Sequence, residues 1–209
     1  MVVAMLSTNL PQSKIDRHIG ALQSAFSDFE PDALICADPF MLSVNVMRRK
    51  CGNVSILMQM NALKANIGVM RNIDANEPGG LDAFVASDRP FAVAHALGAD
   101  RAKYKLSQMR IPLVLGYLCN VGIDTFRPDG HLIRMLTRLG FAQGNNDEQR
   151  LQGAVEAVES FAADCVLPVH VIGAALNRLC AVSSRGICAD RPDCAQCRLS
   201  SHCRFRDDG

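Results

Sequence analysis

From Lys14 onward the apolar positions Ile15, Ile19, Leu22 and Phe26 recur at helical spacing, which predicts an amphipathic helix that ends before Pro31. The same spacing links Val54, Leu57, Leu63, Ile67 and Met70 and stops ahead of the turn sequence Glu77-Pro78-Gly79-Gly80. Short helices are expected around 81–86, 91–97 and 102–109, separated by Pro, Gly or Asp. The run from Pro112 to Asn120 is apolar on all sides, as in a helix buried within a core, with Gly122 suited to its C-terminal cap. After the loop 123–128, Asp129 is placed as an N-cap, Leu132, Ile133, Leu136 and Leu139 give a helical face, and Gly140 ends it. Two further helices are expected, one through Leu151, Val155 and Val158 and the other through Ile172, Leu176 and Leu179.

No strand, repeat or low-complexity segment emerges from this pattern, so the expected fold class is all-α. At 209 residues the chain suits one large domain or two small ones. A boundary near Thr125 divides it into a helical domain, 1–125, and a second helical domain, 126–209, that leads into a cysteine-rich end.

Composition narrows the class. Apolar residues make up 49% and charged residues 21%, with a net charge of +1, which excludes a disordered acidic or basic tail. No apolar run reaches the roughly 18 residues of a bilayer span, so no membrane partner is expected. The apolar opening Met1–Leu6 has no basic residue before Lys14 and is broken by Pro11, a poor match to a signal peptide. A cytoplasmic monomer is expected. Methionines 47, 58, 60 and 70 fall in helical patterns and read as core, as does Tyr117, whereas Tyr104 is a candidate for stacking on a planar ligand.

Nine cysteines is an odd number. Cys36, Cys51, Cys119, Cys165 and Cys180 are scattered through helical patterns as buried cysteines are, and the other four are crowded near the end. Cys188, Cys194, Cys197 and Cys203 form Cys-x5-Cys-x2-Cys-x5-Cys, flanked by Arg185, Arg191, Arg198, Arg204 and Arg206. Four thiolates on one short segment suit tetrahedral zinc or a cubane iron–sulfur cluster. Structural zinc more often uses two close Cys-x2-Cys pairs. One central pair with two longer arms favours the larger object, a [4Fe-4S] cluster, over zinc.

The stretch Arg127-Pro-Asp129-Gly-His131-Leu-Ile-Arg134-Met-Leu-Thr-Arg138 precedes this cysteine loop. In that order the two motifs resemble the helix-hairpin-helix DNA glycosylases of the endonuclease III type, a resemblance that spans essentially the whole chain. It implies two helical lobes flanking a cleft, and a partner duplex whose damaged or mismatched base is flipped into a pocket. It implies that Asp129 is the catalytic carboxylate, stabilising the positive charge that develops on the sugar. It places Asn9 at the gap-filling position, with a plain loop cap as the alternative, and gives His131, Arg134 and Arg138 supporting roles. Arg110, Arg191 and Arg198 become candidate phosphate contacts.

One departure from the family pattern bears on mechanism. The hairpin turn falls at Gln108-Met109-Arg110 and the position of the lyase lysine at Pro112, so both glycines and the lysine are missing. The expected activity is therefore monofunctional: hydrolysis of the N-glycosidic bond to leave an abasic site. A bifunctional lyase using a displaced amine such as Lys105, and a catalytically silent iron–sulfur protein that binds DNA structures, are the alternatives.

Overall fold

The computed structural model describes residues 1–8, 10, 12–181 and 186–205. Asn9, Arg185 and Arg206 lie outside the described residues. Twelve α-helices and no strand occur among the described residues: α1 Val2–Leu6, α2 Gln12–Asp16, α3 Ile19–Ala25, α4 Pro31–Cys36, α5 Pro39–Arg48, α6 Ile56–Asn76, α7 Gly80–Ala86, α8 Pro90–Gly98, α9 Ile111–Asn120, α10 Gly130–Leu139, α11 Asp147–Cys165 and α12 Val169–Cys180. The fold is all-α. The chain separates into two compact units, Met1–Val121 and Gly122–Gly209.

In the first unit α6 is the central element, with α4, α5 and α7 packed on it, while α8 pairs with α9 and α1 contacts both α9 and α6. Its core holds Met5, Leu6, Leu22, Phe26, Met60, Leu63, Leu97 and Leu115, all essentially without solvent exposure. Burial of this kind is worth roughly 1.5–3 kcal/mol for each large side chain. Pro31, Pro39, Pro90 and Pro112 each stand in the first turn of a helix, where a missing N–H costs nothing. A cavity of about 470 Å³ bordered by Phe29, Leu34, Ile67, Met70 and Tyr117 lies in this unit. Burial pushes the Tyr117 phenol up from its usual value, and Asp82 adds to the effect.

Several sequence expectations are corrected here. The helix through 14–26 is two helices, interrupted after Asp16 and resuming at Ile19. Val54 does not belong to α6. It stands in the preceding loop with 98% of its surface exposed. No helix forms over 102–109, because this segment spends its polar groups differently: Leu106 N–H donates to Leu97 O at 2.8 Å, and Lys105 Nζ donates to Met109 O at 2.8 Å and to Gly98 O. Met47 and Met58 are exposed, whereas Met60 is buried. Cys36 and Cys165 are exposed rather than buried. Tyr104 is core: its hydroxyl donates to Glu77, and its ring meets Phe84 edge-on at 5.5 Å.

The second unit is a three-helix arrangement in which α10, α11 and α12 all contact one another. Leu132, Leu136, Ala154, Val158 and Cys180 are buried in it. Gly140 closes α10 in the left-handed conformation at φ +87°, and Val166 does the same for α11 at φ +53°. The chain then bends by 113° into α12. No single helix among the described residues is long and apolar enough to cross a membrane.

Candidate active site and cysteine loop

Asp129 adopts extended backbone, φ −111° and ψ 170°, immediately before α10. Its Oδ1 accepts a hydrogen bond from Leu132 N–H at 2.8 Å, which satisfies one of the unpaired donors of the first helical turn. Its Oδ2 accepts from Asn177 Nδ2 of α12, also at 2.8 Å. The half-buried carboxylate thus has one donor on each oxygen and sits at the positive end of a helix, where an anion is stabilised. Arg127 is close by in electrostatic terms: burial pulls its guanidinium below its ordinary pKa, and the Asp129 carboxylate opposes that pull. Cys180 faces the same region, and its thiol is pushed up to about 12 by burial first, then by Asp129 and Cys188, with Arg134 acting in the opposite direction.

The other face of α10 holds the cysteine loop. Arg138 Nη1 donates to Ala189 O at 2.7 Å and lies 3.5 Å from Cys188 Sγ, while its Nη2 donates to Asp190 O at 3.1 Å. Its guanidinium stacks 4.3 Å from the Phe205 ring centroid, and its own carbonyl accepts from Arg204 N–H at 2.9 Å. Arg134 pairs with Asp190, approaches His131 Nδ1 at 3.2 Å and donates to Cys188 O at 3.4 Å. Its Nε is a buried N–H without a partner. Cys188 N–H donates to Leu179 O at 2.9 Å, so the loop is strapped to α10 and to the end of α12 at once. His131, Arg134 and Arg138 are therefore brought together as supports of the loop.

Cys188, Cys194, Cys197 and Cys203 are all half-buried, and no disulfide forms among the described residues. Within the loop, Cys197 N–H donates to Cys194 O at 3.3 Å and Ser200 N–H to Cys197 O at 3.1 Å. Four thiols are the donor type that a soft metal or an iron–sulfur group takes; the Arg138 guanidinium lies 3.5 Å from one sulfur, and a buried N–H on Arg134 lacks an acceptor. Among the described residues no three His, Cys, Asp or Glu side chains are gathered into a group that could hold a metal ion.

Arg110 is exposed and serves as the N-cap residue of α9, its carbonyl accepting from Leu113 and Val114 N–H. Arg191 and Arg198 are exposed on the cysteine loop. Lys105 is committed to the two carbonyls of the α8–α9 connection, and burial lowers its ammonium pKa. At Gln108 the backbone takes φ +60°, the left-handed conformation, although no glycine is present. Gly98 packs against the start of α9 so closely that an added Cβ would lie 2.7 Å from Ile111 N.

No protein-family model, curated protein or solved structure matches this chain.

Sequence reasoning missed Asn177. The signal available was a polar residue at helical spacing between Gly173 and Cys180, two positions of small, core-type residues.

Proposed function

We propose that this chain is a DNA N-glycosylase of the helix-hairpin-helix type that flips a damaged or mismatched base out of duplex DNA and hydrolyses its N-glycosidic bond. The carrying observation is the Asp129 carboxylate, oriented by a donor on each oxygen at the start of a helix whose other face straps down a four-cysteine loop. In this reading the bond between sugar C1′ and the base nitrogen breaks, and its electron pair leaves with the base, which takes up a proton. Asp129 stabilises the positive charge left on the sugar. Water then adds its oxygen to C1′ and releases a proton, giving an abasic site; only water is consumed.

The four cysteines would hold a [4Fe-4S] cluster, with zinc as the less favoured occupant, and such a group would staple a loop that has few core-forming side chains of its own. Arg110, Arg191 and Arg198 would bind backbone phosphates. The family resemblance extends the proposal to two lobes flanking a DNA cleft, and to a monomer acting on DNA in the cytoplasm or nucleoid.

A second reading is favoured by one observation. Both oxygens of Asp129 already serve structural bonds, which is what a plain N-cap in a catalytically silent DNA-binding protein would show. The lyase reading asks Lys105 to leave both of its carbonyl partners. Cleavage of lesion-bearing duplexes, with and without subsequent alkali, separates the three. Breaks that appear only after alkali and are lost in Asp129→Asn support the glycosylase, a borohydride-trapped adduct supports the lyase, and binding with no base release supports the silent module.

A further inference from the structure

Gly173, Asn177 and Cys180 fall at i, i+4 and i+7 and share one face of α12. The two flanking members are buried. Gly173 lies so close to the loop before α10 that an added Cβ would meet the Phe126 ring at 2.7 Å. This face is therefore the one turned to the core, and Asn177 is the polar position on it. Asparagine is a weaker helix former than leucine or alanine, and an apolar residue would serve packing better. What Asn177 does instead is donate its side-chain amide to Asp129 Oδ2 across 48 positions of sequence.

We infer that Asn177 is the positioning residue for Asp129, holding the second carboxylate oxygen so that the acid presents one orientation to the sugar of the flipped nucleotide. This inference rests on the glycosylase reading. A carboxylate that must stabilise a developing cation has two requirements, to be ionised and to be aimed. Leu132 N–H fixes Oδ1 but leaves the group free to tilt about that bond. The Asn177 amide removes the tilt and, being a neutral donor, leaves the carboxylate's charge uncancelled, where a lysine or arginine partner would offset it.

Arg127 acts from the preceding loop, and Cys180, from the same face of α12, stays a neutral thiol.

The test is single-turnover base release by the full chain, with the rate at saturating duplex read separately from duplex affinity, on the lesion duplex that the wild type cleaves fastest in the alkali assay. Asn177→Leu removes the donor at similar volume and should lower the release rate about tenfold or more at unchanged affinity. Asn177→Asp is close to isosteric, which keeps the test available if the leucine variant misfolds, and by setting a second carboxylate against Asp129 it should slow release as well. A merely structural role would lower thermal stability and leave the release rate of the folded protein at the wild-type value, and that result overturns the inference. A wild type that releases no base from any duplex would instead overturn the glycosylase reading, and the positioning role would fall with it.

Discussion

Replacing Gln108 with glycine should stabilise the protein, against the usual effect of introducing glycine. Gln108 holds φ +60° in the segment that joins α8 to α9. A non-glycine residue in the left-handed region carries about 1–2 kcal/mol of steric cost from its Cβ and the following carbonyl oxygen. Glycine relieves that cost, but its greater freedom in the unfolded chain takes back roughly 0.5–1 kcal/mol. Gln108 is exposed, and its side chain has no packing to lose. The net expectation is a gain of about 0.5–1 kcal/mol, visible in urea unfolding as a higher midpoint with an unchanged slope. The paired substitution Gly98→Ala provides the opposite sign. Its new Cβ would fall 2.9 Å from Ile111 Cα as well as against the amide, and neither backbone atom can yield cheaply, so a loss of about 2 kcal/mol follows. A Gln108→Gly variant less stable than the wild type by the ~1 kcal/mol typical of glycine in ordinary backbone would refute the left-handed assignment.

Other outcomes follow from the same geometry. Lys105→Met should lower stability by about 2 kcal/mol, since the ammonium satisfies two carbonyls of the α8–α9 connection; a thermal melt that matches the wild type would show those bonds to be immaterial. On the proposed DNA-binding role, Arg110→Ala should weaken binding to all duplexes alike and reduce the salt slope of log K by about one, measured by fluorescence anisotropy at several salt concentrations. Cys180, with its thiol at about 12, should resist alkylation while the protein is folded. About one thiol in 10⁴ is ionised at pH 8, so its iodoacetamide rate should climb tenfold per unit as pH rises toward the pKa. Mass spectrometry of modified peptides reads this directly, and rapid Cys180 labelling at neutral pH would contradict the burial.

The parts of the site that lie within one short window were legible in the sequence. Asp129 caps α10 and Gly140 closes it, because a cap needs only its own side chain and the next three residues. The helices over 31–48 escaped the periodicity argument. They are opened by Pro31 and Pro39, and proline reads as punctuation unless its place in the first turn is recognised. The segment 102–109 looked helical by spacing but is organised by Lys105 and by the bond from Leu106 to Leu97, whose partners lie outside any local window. Asn177 was invisible for the same reason: its meaning depends on α12 lying beside the start of α10. The straps from Arg134 and Arg138 to the cysteine loop span more than fifty positions, so sequence could place these arginines on one face without naming what they hold.

Central to the account is the claim that Asp129 is a reacting carboxylate and more than a cap. Asparagine is as good an N-cap as aspartate, so Asp129→Asn keeps α10 while removing the charge. The decisive measurement is single-turnover release of a base from a panel of lesion-bearing duplexes by wild type and Asp129→Asn, scored by strand breakage after alkali. Release from at least one duplex by the wild type is expected, with a loss of 10²-fold or more, on the order expected for removing a charge-stabilising group, in a variant that still folds and binds. Equal release by the two proteins would contradict that claim.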